Sequence, residues 1–382
     1  MKISTLNKQI LTIVALVAIV FAIVYLESRK VETGDTGENA DIASNPTTED
    51  ARARALRKGA LYERAKEITT PDDFINTDEF TLANLIGKKV VLVDFWTYSC
   101  INCQRTLPYL NNWFTEYEDD GLVIIGVHTP EFEFEKEYSN VLQAAKKFDI
   151  KYPVVLDNDY STWHAYKNQY WPRKYLIDID GFIVYDHIGE GGYDETESVI
   201  VTALTERAEV LGLHTSIERD TVTLSEKKPV EGARTPEIYF GSDRLQYLSN
   251  LPRKECLNTV CDYTIQKDVL PLHSFALGGS WQIEKENALS KTTDNALTLH
   301  FIGSQVNIVA GTEGNRIVKA RIYLDGELLS GSFAGSAVDA TGTVSFNEPT
   351  LYELVNLGVT SEHELKIEFI MPDVEVYTFT FG

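Results

Sequence analysis

Two cysteines, Cys100 and Cys103, stand where an apolar run gives way to an amphipathic one. Val90-Val91-Leu92-Val93 leads into Asp94-Phe95-Trp96, then the polar turn Thr97-Tyr98-Ser99, then Cys100-Ile101-Asn102-Cys103. Thiols at this spacing can close and open a small disulfide ring, which is dithiol redox chemistry. The spacing by itself also fits half of a zinc site. A four-cysteine site would have to recruit the other close pair, Cys256 and Cys261, from far along the chain. The strand–turn–helix setting favours redox chemistry, because a helix N-terminus offers unpaired N–H groups and partial positive charge to a thiolate. Cys100, nearer the end, is then the nucleophile. Cys103, one turn further in, resolves the mixed disulfide. This chemistry calls for no metal and no organic cofactor.

The flanking segments must form the elements that hold this pair. The apolar run from Lys89 to Phe95 predicts a central strand covered on both faces. Cys103, Leu107, Leu110, Phe114 and Tyr117 recur at the spacing of one helix face. A helical turn over Thr81–Gly87, strands over Leu122–Val127 and Pro153–Leu156, and a helix over Glu135–Phe148 are expected around them. Asp180-Gly181 joins Tyr175–Ile179 and Phe182–Ile188 as a hairpin, and Asp194–Leu211 is expected as a closing helix. Strands alternating with helices give a mixed α/β sheet over residues 66–214. Beyond it, the charged, proline-bearing stretch to Pro236 reads as a linker over 215–236. From 237 to 382 the pattern is short alternating runs, among them Leu297–Phe301, Arg321–Leu324, Leu365–Phe369 and Val374–Phe381. That is the signature of an all-β sandwich, jelly-roll-like.

The chain has 382 residues and a formal net charge of -22. Such acidity argues against nucleic acid and an anionic membrane surface as partners and suits the solubility of a secreted surface. The uncharged run Ile10–Leu26 is just long enough to span a bilayer as one helix, and Leu26-Glu27-Ser28-Arg29 is a poor cleavage site. An uncleaved single-pass anchor is therefore expected over 1–27, followed over 28–65 by a polar tether and a lead-in helix from Asp50 to Glu67. Four cysteines in two close pairs suit an oxidising compartment. The bulk of the chain is expected outside the cytoplasm, on the periplasmic or cell-surface side, with Cys256–Cys261 as a structural disulfide.

The residues around Cys100 resemble those of the thioredoxin superfamily. Asp94 lies six residues ahead of Cys100, Trp96 completes D-F-W, and Pro108 sits five residues beyond Cys103. The segment Tyr170-Trp171-Pro172-Arg173-Lys174-Tyr175-Leu176 is similar to the loop that carries a cis-proline opposite the dithiol. W-T-Y-S-C-I-N-C, G-V-H-T-P-E-F from Gly126, Y-W-P-R-K-Y-L-I-D from Tyr170 and G-E-G-G-Y from Gly189 narrow the resemblance to DipZ-type proteins, over about residues 66–382. The resemblance implies a thioredoxin-like domain followed by a carbohydrate-module-like domain. It makes Asp94 the acceptor of the Cys103 proton and puts Trp96, Trp171 and Pro172 beside the substrate. In that family a multi-span electron carrier precedes these domains. With one anchor in its place here, the electron donor is expected to be a separate membrane protein, and the substrates protein disulfides or dithiols.

Two other functions compete. A surface binding protein would use the β domain, with the dithiol as a structural bridge; Trp281, Tyr323, Tyr352 and Tyr377 are the aromatics available to a glycan, although aromatics in β domains are mostly core. A thiol peroxidase is suggested by Thr97-Tyr98-Ser99-Cys100, but Val93 stands where peroxiredoxins carry proline, and the neighbouring Cys103 favours disulfide exchange. His128 and Arg173 border the expected site and read as loop structure and surface charge.

Overall fold

The computed structural model describes residues 48–214, 217, 234–250, 256–266 and 270–382. The expected anchor, the tether and almost all of the linker lie outside these residues. Among the described residues, no helix is long and apolar enough to cross a membrane. The described residues form one compact unit.

The first half is a six-stranded sheet in the order β1-β4-β3-β2-β5-β6. Its strands are β1 (Asp73–Ile75), β2 (Val90–Trp96), β3 (Leu122–His128), β4 (Val154–Leu156), β5 (Arg173–Ile177) and β6 (Ile183–Ile188). Strands β2, β3 and β4 run parallel, while β5 and β6 return antiparallel to β2. Every residue of β2 is buried, as its apolar run requires. Alternation sends Val90, Leu92, Asp94 and Trp96 to one face and Val91, Val93 and Phe95 to the other. The first set packs with α2 (Ile101–Tyr117), which buries Cys103, Thr106, Leu107, Leu110, Trp113 and Tyr117. The second set packs with Ile125, Val127, Trp163 and Tyr175 on the opposite side. Gly181, at φ +84°, makes the β5–β6 turn where a side chain would be strained.

Two helices differ from expectation. The lead-in helix α1 (Thr48–Gly59) stops eight residues early. Beyond Gly59 the chain bridges Arg64 to Phe182 at the β6 side of the sheet instead. Helix α1 is docked rather than free: Arg54 pairs with Asp180 at 2.6 Å, and Lys58 with Asp178 at 2.6 Å. The helix expected over Glu135–Phe148 begins as a separate 3₁₀ turn, Glu133–Lys136, and restarts as α3 (Tyr138–Lys147). The break is Glu137, in extended backbone. A short α4 (Ser161–Ala165) and the edge strand β1 had no periodic signal; α5 (Tyr193–Leu211) closes this half.

The second half is all β. Ten strands share one hydrogen-bonded sheet, β8 to β13 along the path β13-β12-β15-β11-β16-β10-β9-β8, with β14 and β7 paired at its sides. The strands are β7 (Ile238–Tyr239), β8 (Val260–Tyr263), β9 (Ser274–Ile283), β10 (Ala288–Ser290), β11 (Asn295–Thr312), β12 (Val318–Leu324), β13 (Glu327–Leu328), β14 (Thr343–Phe346), β15 (Thr350–Phe369) and β16 (Val374–Phe381). Two long strands, β11 and β15, pair along nearly their whole lengths, with register shifts at Gly303/Gln305 and Val306/Asn307. Such irregularities let a strand bend, so β11 pairs first with β9 and then with β16. The sheet encloses one apolar core that includes Phe275, Trp281, Phe301, Phe346 and Phe379.

Candidate active site

Cys100 is the N-cap of α2, in extended backbone, and its carbonyl accepts the first helical bond, from the N–H of Gln104 at 3.0 Å. Its sulfur accepts the N–H of Cys103 at 3.3 Å. A capping position normally taken by a hydroxyl or carboxylate oxygen is thus taken by sulfur, which gives the sulfur a backbone N–H donor. Cys100 is partly exposed and Cys103 is buried; both are free thiols. Burial, then the neighbouring Cys100, push the Cys103 thiol well above its ordinary pKa. Cys103 therefore needs a base before it can attack.

Asp94 is the available base. It lies on the α2 face of β2, only 1% exposed, so it is not a strand-end carboxylate in contact with solvent. Burial raises its pKa to about 7, and the charge of Lys174 pulls it back down. Lys174 is the residue directly across from Asp94 in the β2–β5 pair, so both side chains rise from the same face. It is fully buried, its own pKa lowered by burial and raised by Asp94 and Cys103. Its Nζ donates to the carbonyl of Gly189 at 3.3 Å, in the loop G-E-G-G-Y. On the other side of Asp94 the parallel partner is Gly126. A Cβ there would lie 2.9 Å from Nε1 of Trp96 and 3.2 Å from Tyr152, so the glycine makes room for both rings. Asp94 Oδ1, Trp96 Nε1 and Tyr152 Oη are all buried with no hydrogen-bond partner in the protein. Buried polar atoms left open in this way are uncommon in native proteins.

The other expected site residues are close in the fold. Phe95 pairs with Arg173, so Pro172 falls level with Trp96, at the strand end from which the Cys100 turn leaves. The Trp171–Pro172 peptide is cis. Trp171 is anchored by its Nε1–H to the carbonyl of Thr129 at 3.1 Å and packs on Trp163 at 4.3 Å. His128 ends β3 beside Trp96 and is completely buried between Trp96 and Tyr98. Burial pushes its pKa down to about 3, so it is a neutral packing group. Arg173 pairs with Asp186 and covers Tyr175. Cys256 and Cys261 are bonded to each other at the far edge of the β sheet, where Cys261 sits opposite Trp281. Trp281, Tyr352 and Tyr377 are buried, so three of the four aromatics weighed for a glycan are core.

Two buried residues escaped the sequence reading. Lys174 was visible only as part of Y-W-P-R-K-Y; its place opposite Asp94 depends on strand register. Glu135 was read as a helix residue. It is fully buried, and its Oε1 accepts from the Oγ–H of Ser99 at 2.6 Å.

Residues 62–186 match the AhpC/TSA family, and residues 235–382 match the thioredoxin-like C-terminal domain. Protein DipZ of Mycobacterium bovis is 40% identical over 301 residues, covering 79% of this chain and 40% of that protein. Thiol-disulfide oxidoreductase YkuV of Bacillus subtilis is 30% identical over 38% of this chain and 97% of its own length. A solution structure of a thioredoxin-like protein in the oxidized form is 29% identical over 38% of this chain and 97% of that one, with a TM-score of 0.36. The chain spans about 40% of the length of the mycobacterial relatives it matches. The half that holds Cys100 and Cys103 is thioredoxin-like and is similar to proteins named thiol-disulfide oxidoreductases. Within that class, the chain belongs to the DipZ-type thioredoxin-like proteins.

Proposed function

We propose that this protein reduces protein disulfides by dithiol exchange at Cys100 and Cys103. The observation that carries the reading is the layered site: an N-cap thiol at the surface, a buried thiol one turn in, and a buried carboxyl of pKa about 7 behind it. The Cys100 thiolate attacks one sulfur of a substrate disulfide, forming a mixed disulfide and expelling the other substrate sulfur as thiolate. Cys103 gives its proton to the Asp94 carboxylate and attacks Cys100. The second substrate thiolate leaves, and Cys100–Cys103 is now the disulfide. Two electrons have passed to the substrate, and the proton on Asp94 returns to the released thiolate through solvent. The backbone at Trp171–Pro172 supplies an edge against which an extended substrate segment can lie.

A single-pass anchor at Ile10–Leu26, an extracytoplasmic location and a membrane-borne electron donor complete the proposal. They rest on that apolar run and on the oxidising environment that the Cys256–Cys261 bond requires. The first test is insulin reduction by dithiothreitol with Cys100→Ser. Undiminished activity would sink the assignment. Peroxide consumption that depends on Cys100 and exceeds disulfide reduction would move the protein to the peroxidase class instead.

A further inference from the structure

Among the fully buried carboxyls that the mechanism leaves unused is Glu135. Glu135 lies in the 3₁₀ turn after β3, and both of its oxygens are occupied. Oε1 accepts from Ser99, from the backbone N–H at 3.3 Å and the Oγ–H at 2.6 Å. Oε2 accepts from the N–H groups of Glu131 at 2.6 Å and Phe132 at 3.1 Å. A single side chain thus ties the residue before Cys100 to the loop that follows β3.

The β-rich domain grips that same loop. Oε1 of Glu131 accepts from the hydroxyl of Tyr239 and from Nη1 of Arg244, each at 2.8 Å. Arg244 also covers the rings of Phe132 and Tyr239, at 5.1 Å and 3.8 Å. Tyr377 meets Phe132 and Phe134 edge-on at 5.2 Å and 4.7 Å. Beside Ser99, the hydroxyl of Tyr98 donates to the carbonyl of Pro349 at 3.1 Å. A chain of contacts therefore runs from Arg244 through Glu131 and Glu135 to Ser99 and the Cys100 N-cap.

We propose that Glu135 is a positioning residue for Cys100, and that through it the docked β-rich domain sets the reactivity of the dithiol. The inference rests on Cys100 being the nucleophile. The physical argument is one of replacement. A buried carboxyl is costly unless donors surround it; the four donors here offset part of that cost, and burial still raises the Glu135 pKa to about 7. Remove it, and the four donors lose their acceptor, so the Thr97–Ser99 turn loses its tie to the loop after β3. The Cys100 sulfur then leaves the line of the Cys103 N–H, and the thiolate loses stabilisation. A less stable reduced form means a slower thiol and a more reducing pair.

The test uses the full chain, reduced with dithiothreitol. The readouts are the rate of Cys100 alkylation by iodoacetamide, followed by mass spectrometry, and the Cys100–Cys103 potential in glutathione buffers. Glu135→Ala is expected to slow alkylation about fivefold and to change the equilibrium with glutathione about tenfold toward the disulfide, which is about 30 mV. Glu135→Gln, which keeps one acceptor oxygen, should fall between. Arg244→Ala should act in the same direction by about twofold. Faster alkylation in both Glu135 variants would show a charge effect and overturn positioning. No change in Glu135→Ala would overturn the proposal outright. An effect of Glu135→Ala without any in Arg244→Ala would overturn the link to the β-rich domain. Should Glu135→Ala fail to fold, Ser99→Ala carries the test, and an unaltered Cys100 in that variant is the overturning result. Alkylation needs no turnover, so these outcomes are separate from the loss of insulin reduction that tests the dithiol itself.

Discussion

The two halves of the molecule bury different things. Among the described residues, every buried Asp, Glu, Lys or His lies in the thioredoxin-like half: Asp94, His128, Glu135, Asp157, Lys174, Asp178 and Glu197. The buried polar residues of the β-rich half are Ser, Thr and Asn alone. Burying a charge is expensive, so its presence asks for a reason, and the reasons divide. Asp157 accepts from Thr129 and from the N–H groups of Thr162 and Trp163 at the start of α4. Asp178 accepts from Lys58 and from the N–H groups of Asp180 and Phe182 across the hairpin turn. These two carboxylates are fully employed in holding structure. Asp94 has an oxygen with no protein partner and a lysine across the strand that does not neutralise it. Incomplete satisfaction, more than burial, separates Asp94 from these two carboxylates.

The sharpest way to break the comparison is at the cysteines. Cys100→Ser should lower insulin reduction at least about a hundredfold, as loss of a nucleophile does. Cys103→Ser should instead accumulate a mixed disulfide with substrate, visible by non-reducing electrophoresis. If both variants stay active, the thioredoxin-like half has no claim to be the reactive one.

Asp94→Asn comes next in size, and its effect has two parts. Stopped-flow measurement of the resolving step should show a loss of about 10–100-fold near neutral pH, because Cys103 has lost its base. Stability should move the other way. The Asp94 pKa is raised in the fold, from 3.8 to about 7. Below about pH 4 both folded and unfolded chains are protonated there, and the raised pKa is harmless. As pH climbs toward 7 the unfolded chain ionises while the folded one does not, so stability is lost, and above 7 the penalty is complete. Asn carries no such penalty. Urea unfolding should therefore find Asp94→Asn more stable than the natural protein by about 2–4 kcal/mol at pH 8 and no different at pH 4. Equal stabilities at pH 8 would mean that the fold does not raise the Asp94 pKa.

Lys174→Met should give a smaller change with a definite direction. Without the lysine charge, burial alone acts on Asp94, and its pKa rises further. The pH profile of the resolving step should shift upward by about one unit, while alkylation of Cys100 is unaffected. A profile that stays in place would show that Lys174 only fills space.

The sequence makes some of this legible and hides the rest for identifiable reasons. Cys100, Cys103, Asp94 and Trp96 lie on one short continuous stretch, so strand alternation and helix period alone place them. Pro172 is legible because the hairpin after it is marked by Asp180-Gly181. Lys174 depends on which residue of β5 meets Asp94, and antiparallel register cannot be read from composition. Glu135 was obscured by its own neighbourhood: a charged, amphipathic stretch imitates a helix, while its carboxyl folds inward to Ser99, 36 residues away. In the β-rich half the alternating cores of β11 and β15 were visible. Their lengths of 18 and 20 residues were not, because bulges near Gly303 interrupt the alternation and read as strand ends.

The second cysteine pair supplies the smallest effect and the control for the whole comparison. Cys256 and Cys261 are also a close pair, five residues apart rather than three, but among the described residues no helix begins between them and no Asp or Glu of the β-rich half is buried. Cys261 sits on the edge strand β8. A bridge across so short a loop limits the unfolded chain by only about 2 kcal/mol. The double variant Cys256→Ser/Cys261→Ser should therefore lower stability by about that amount in urea unfolding and leave the initial rate of insulin reduction within twofold. Should the rate fall as far as it does in Cys100→Ser, the second pair would have to be a relay for electrons, and the division between a reactive half and a structural half would fail at that edge strand.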